Sequence, residues 1–150
     1  MRTVGQASRC VAWLGLGLVV LTVSACGGSS TTSPTTTGPT TAPTSEVFTG
    51  TVPVGGIDSH TFNIALSNGQ VNVILTAAGP PATIFMGLGI GAPSGSTCSL
   101  FSGGSLVTQA STTAQLSGTA QAGAYCVSVY DAGNLSADAI VTYSVTVTHY

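Results

Sequence analysis

Positive charge is nearly absent from this sequence, and the little there is sits at one end. Of 150 residues two are basic, Arg2 and Arg9, and four are acidic, Glu46, Asp58, Asp131 and Asp138. Soluble domains commonly carry about a quarter charged residues; here the fraction is 4%. No Lys or Arg follows Arg9. The main body has nothing with which to neutralise phosphates, which excludes nucleic acid as a partner along with any chemistry that needs a cationic side chain. Aromatic residues are few as well, at 6%. The length holds one domain of ordinary size, not a catalytic domain beside a binding domain. No G-x-S-x-G occurs, and nothing after residue 45 keeps helical periodicity.

The N-terminus carries an export signal. Arg2 and Arg9 head an apolar run from Val11 to Val23, and the small residues Ser24 and Ala25 precede Cys26. This is the three-part layout of a secretory signal peptide. A membrane-spanning helix needs roughly 20 apolar residues, whereas Cys10 to Ala25 supplies 16 before Gly27-Gly28-Ser29-Ser30.

Val23-Ser24-Ala25-Cys26 resembles the lipobox of bacterial lipoproteins. The resemblance implies that the Cys26 thiol takes a diacylglycerol through a thioether, that signal peptidase II cuts just before it, and that the new amine is acylated. Each buried methylene contributes about 0.8 kcal/mol, and two or more chains hold a protein where one is marginal. The implied partner is a lipid membrane, reached through acylated Cys26, and the implied location is the bacterial cell envelope, facing periplasm or exterior. Gly27 stands where the inner-membrane retention signal of enteric bacteria has Asp. The alternative is ordinary secretion with Cys26 left as a free thiol.

Residues 29–45 contain only Ser, Thr, Pro, Gly and Ala. Such a composition cannot bury a core, and Pro34, Pro39 and Pro43 favour an extended chain, with a reach of up to roughly 50 Å. The domain plan is therefore a signal peptide at 1–25, a lipidated Cys with a disordered Thr/Ser/Pro linker at 26–45, and a folded head at 46–150. Thr density in the linker also suits O-glycosylation.

The head alternates apolar and polar residues with period two. The pattern is clear in Thr61–Leu66 and Gln70–Leu75, and clearest where Val141, Tyr143, Val145 and Val147 interleave with Thr142, Ser144, Thr146 and Thr148. Turn signals at Gly55-Gly56, Asn68-Gly69, Gly79-Pro80-Pro81, Pro93-Ser94-Gly95, Gly103-Gly104 and Gly133-Asn134 punctuate these runs. The pattern predicts an all-β fold, a single jelly-roll-like sandwich of about eight strands. The strands are expected near 47–52, 60–66, 70–77, 83–90, 97–101, 106–116, 124–131 and 139–148. Cys10 leaves with the signal and Cys26 is the lipid site, so four cysteines reduce to Cys98 and Cys126. Two cysteines in an exported head imply a disulfide, where a redox pair would show C-x-x-C spacing.

Two stretches, VFTGTVPVGGIDSHTFNI at 47–64 and GAYCVSVYDAGNLSADAIVTYSVTVTH at 123–149, resemble the bacterial pre-peptidase C-terminal domain family. The resemblance implies a jelly-roll-like sandwich and a role in secretion or in attachment to protein or carbohydrate. Some members bind calcium, but here acidic residues are scarce and no peptidase precedes the domain.

Other motifs favour plain structural readings. Asp58-Ser59-His60 holds the residue types of a hydrolase triad, but neighbours on an extended chain face opposite sides. Gly87-Leu88-Gly89-Ile90-Gly91 echoes a dinucleotide loop without the following helix, and reads better as a strand with one bare face open to close approach. Asp131, Asn134 and Asp138 could offer oxygens to calcium, but turn formation accounts for them. His60 and His149 would need a third ligand to hold a metal. Phe62, Tyr125 and Tyr143 fall in phase with the core, whereas Phe85 and Tyr130 fall out of phase and belong on an outer face. The reading that results has no catalytic residues, metal or cofactor: a membrane-anchored lipoprotein whose head binds or adheres to an envelope or extracellular polymer or protein. Its alternative is a structural or secretion-linked envelope component without a specific ligand. An exposed aromatic or Gly-lined patch would favour binding.

Overall fold

The computed structural model describes residues 41–150; the expected signal peptide, Cys26 and the expected linker as far as residue 40 lie outside the described residues. Eight strands follow in order: β1 (Thr44–Pro53), β2 (Ile57–Ile64), β3 (Gly69–Gly79), β4 (Met86–Ser94), β5 (Thr97–Thr108), β6 (Leu116–Ala120), β7 (Gly123–Tyr130) and β8 (Ile140–His149). No helix occurs among the described residues. The strands form two four-stranded sheets, β1-β8-β3-β6 and β2-β7-β4-β5, with every pairing antiparallel. Eight strands arranged in this double order make a jelly roll, an all-β sandwich. The stretches 47–64 and 123–149 fall on β1–β2 and β7–β8.

Alternation along the strands builds the core. Val71, Val73 and Leu75 of β3 and Val141, Tyr143, Val145 and Val147 of β8 face Phe62 and Ile64 of β2, Met86 and Leu88 of β4, and Val127 and Val129 of β7, all buried. Full burial of one such side chain contributes about 1.5–3 kcal/mol. The threonines between them line the outer face, where polar groups keep their water.

Several elements differ from the sequence expectation: β2, expected at 60–66, begins at Ile57, and β4, expected at 83–90, runs from Met86 to Ser94. β1 starts at Thr44, so Thr44 and Ser45, assigned by composition to the linker, pair with His149 and Thr148. β5 keeps strand conformation past Gly103-Gly104, where a turn was expected, but leaves the ladder there: Ser105 pairs with Gly89 and Leu100 with Gly91, so residues 101–104 bulge opposite Ile90 alone. Gly103 takes a φ of +73°, which lets the strand bulge without ending. The strand expected at 106–116 is divided: β5 ends at Thr108 and β6 begins at Leu116.

The chain between them covers the open edge of β3 with side chains and loop backbone. The N–H of Leu75 donates to Gln115 Oε1 (2.9 Å), Ser111 N–H donates to Leu75 O (2.8 Å), and Gln115 N–H donates to Val73 O (3.1 Å). Residues 109–115 lack apolar alternation, and the Gln115 carboxamide does part of what a strand backbone would.

Candidate functional site

The edges of the two sheets leave a cleft between β6 and β5, with a volume of about 340 Å³. This lies within the roughly 300–1,000 Å³ range of ligand pockets. Val71, Val73 and Ile90 form an apolar floor from both sheets, with Tyr125 and Leu116 beside it. Phe101 stands at the lip, 43% exposed, and meets Tyr125 edge to face at 6.0 Å. The cleft exists because of what its walls lack. Gly118 pairs with Val71 and so faces inward at the centre of β6, and no described atom lies within 4 Å of where its Cβ would stand. Gly103 and Gly104 leave the opposite wall without side chains, with open space beside Gly103. None of the four carboxylates lines it.

A polar cluster links the sheets at the other edge. Asp58 and His60, two apart on β2, face inward to Tyr143 of β8. The buried Tyr143 hydroxyl donates to Asp58 Oδ2 (2.8 Å), and His60 Nε2 lies 2.9 Å from the Tyr143 phenol oxygen. The phenol proton is committed to the carboxylate, so Nε2–H donates to the phenol oxygen. Phe48 stacks on the imidazole at 5.0 Å. Gly50, paired with Tyr143, makes room, since a Cβ there would fall 2.0 Å from Asp58 Oδ2. Burial first, then the hydrogen bond and charge of Asp58, push the Tyr143 phenol above its ordinary range. Ser59 faces away and bonds Ser128 on the outer face (2.7 Å). Asp58, Ser59 and His60 thus form no relay with one another, and the cluster acts as a tie between sheets.

The remaining candidates have structural roles. Asp131 Oδ1 accepts the N–H groups of Gly133 (2.8 Å), Asn134 (3.1 Å) and Leu135 (3.3 Å), and Oδ2 accepts that of Gly55 (2.8 Å). The Gly55 bond, with the other three, holds this carboxyl below the usual carboxylate range. Its oxygens face donors, so the loop is a carboxylate-capped turn. His149 is buried against Phe62 and donates Nε2–H to Glu46 Oε1 (2.9 Å). The structure does not bring His60 and His149 together with a third ligand; among the described residues no group of three His, Cys, Asp or Glu could hold a metal ion.

Cys98 and Cys126 are joined in a disulfide between β5 and β7. Cys26 lies outside the described residues. On the outer face, Ile57, Tyr130, Gly87 and Val107 lie in one row across four strands. The Tyr130 ring covers Gly87 so closely that a Cβ there would fall 2.1 Å from a ring carbon. Phe85, just before β4, is exposed, as its phase predicted.

Sequence reasoning did not find the cleft or the part Tyr143 plays beside Asp58 and His60. Gly118 was a usable signal, because a glycine inside a strand marks a close approach or a vacancy.

No family model and no curated protein matches the chain. Among solved structures, the periplasmic inhibitor of g-type lysozyme PliG from Aeromonas hydrophila is similar to it. The identity is 18%, covering 71% of this chain and 86% of that one, with a TM-score of 0.46. A likeness of this level transfers neither partner nor activity.

Proposed function

We propose that this protein is an exported, lipid-anchored binding module. In this reading residues 1–25 direct export, acylated Cys26 holds the chain to a membrane of the cell envelope, the Thr/Ser/Pro segment spaces the head from the lipid, and the jelly roll works by contact. The observation that carries the binding role is the cleft between β6 and β5: an opening in the core with an apolar floor and glycine-bare walls, beside a half-exposed Phe101. A sandwich selected for stability alone would fill it, since empty apolar space forfeits packing.

Two measurements test this. Mass spectrometry of the mature N-terminus is expected to find a diacylglyceryl adduct on Cys26; an unmodified thiol there contradicts the anchor. Capture of envelope material or arrayed glycans by the Cys26→Ser protein is expected to fall sharply in Gly118→Val, which projects a branched side chain into the cleft. Equal capture by both contradicts the site.

A further inference from the structure

One wall of the cleft is the edge of a strand. Leu116 to Gln121 line the opening without a break, and β6 is the last strand of its sheet, paired only with β3 among the described strands. Its other edge pairs with no described strand, which leaves alternate backbone N–H and C=O groups without a ladder partner. Across from it lies β5, the last strand of the second sheet, bare of side chains at Gly103 and Gly104. Proteins commonly blunt such edges with charge or proline. Leu116-Ser117-Gly118-Thr119-Ala120 carries neither.

We propose that the cleft receives one extended, uncharged segment of a partner protein, added to β6 as a further strand, with an apolar side chain set into the space beside Gly118. The proposal rests on the cleft being the binding site of the head. The chemistry of the lining selects this occupant. No carboxylate lines the cleft and no Lys or Arg follows Arg9, so a charged segment would lose water and find no counter-charge.

The alternating donors and acceptors of a strand edge are matched by another extended backbone. A fatty acyl chain would cover those groups and bond none of them. A sugar site commonly pairs an open aromatic face with side-chain donors and acceptors, and in the cleft Phe101 is the one exposed ring, since Tyr125 is engaged by its neighbours. Phe101 and Tyr125 meet at 74°, Tyr125 is also stacked on Phe62 at 6.0 Å, and its hydroxyl donates to Gln121 O (3.0 Å).

The test titrates the mature chain, made soluble by Cys26→Ser, while its backbone amides are followed by NMR. The probes are a capped heptapeptide alternating threonine and valine with phenylalanine at its centre, the same peptide N-methylated at alternate residues in either phase, decanoate, and maltoheptaose. The unmethylated peptide is expected to shift the amides of 116–121 and 101–104 and to saturate below the millimolar range. One N-methylated phase, and the Gly118→Val protein, should each weaken binding by about tenfold or more, with Thr51→Ala, exposed on β1 away from the cleft, unaffected.

Absence of those shifts at millimolar peptide, or equal binding by both N-methylated peptides, overturns the added strand. If decanoate or maltoheptaose moves the same amides and the peptide does not, the strand proposal fails and the cleft remains the site. If none of the probes does, and capture is also indifferent to Gly118→Val, both readings fail.

Discussion

Replacing Gly118 by valine places three carbon atoms where no described atom lies within 4 Å of the new Cβ. The backbone there is not in the left-handed region that favours glycine, so a β-branched residue fits the strand. Removing the entropic penalty of a mid-strand glycine contributes about 0.5–1 kcal/mol. Each methyl or methylene carbon buried against Val71 and Leu116 adds about 0.8 kcal/mol, and fixing the valine rotamer takes back a few tenths. With two carbons buried, the net gain is about 2 kcal/mol, or a rise in Tm of about 10 °C for a domain of this size. Differential scanning calorimetry of Cys26→Ser and Cys26→Ser/Gly118→Val measures it. Ser117→Val is the control, since its side chain faces outward and should change stability by no more than about 0.5 kcal/mol. A Tm for Gly118→Val that is unchanged or lowered would refute the reasoning, because it would mean the space is not open. A stabilised variant that binds less would put the cleft among sites where stability is given up for function.

Four further outcomes follow from the same structure. Cys98→Ser/Cys126→Ser, which opens a disulfide spanning a sequence separation of 28, should lower unfolding free energy by about 3–4 kcal/mol in urea titrations; a loss below about 1 kcal/mol would contradict a structural role. Tyr143→Phe leaves Asp58 Oδ2 and His60 Nε2 without their shared partner and should cost about 1–3 kcal/mol. Because the Tyr143 phenol is raised in the folded state, its share of stability is intact below about pH 10, where a free tyrosine ionises, and is lost as pH climbs toward the folded value. Melting curves should therefore fall off less steeply above pH 10 for Tyr143→Phe than for the parent. Asp131 is depressed in the folded state, so its contribution is intact above about pH 3.9 and is lost as pH falls through the lower folded value. The Tm gap between the parent and Asp131→Asn should be open at pH 7 and closed at pH 2, and a gap independent of pH would show that the charge plays no part.

The sandwich was legible because β8 alternates throughout and β3 alternates as far as Leu75, before its bulge. Period two over Val141–Val147 and Val71–Leu75 leaves one arrangement, a strand with one buried face. The disulfide was legible because only Cys98 and Cys126 follow Cys26. Gly103-Gly104 misled, because adjacent glycines permit both a turn and a bulge, and only the pairing partner decides. β4 pairs with residues 97–100 and 105–108 on either side, so β5 bulges at the glycines and resumes. Gln115 could not be foreseen, since a carboxamide substituting for strand backbone leaves no periodic trace. The cleft was hidden for a related reason. A vacancy is a property of facing elements, and Gly118, Gly103 and Phe101 lie on two strands from different sheets that the chain order does not place opposite one another.

The most direct test is hydrogen exchange on the protein in place. Exchange of backbone amides should be compared between envelope preparations and the purified Cys26→Ser chain. The account predicts added protection in the envelope at residues 116–121 and 101–104, with the Asp131 turn and β1 unchanged. Identical exchange at β6 in both preparations, or protection confined to the outer row of Ile57, Tyr130 and Val107, would contradict it.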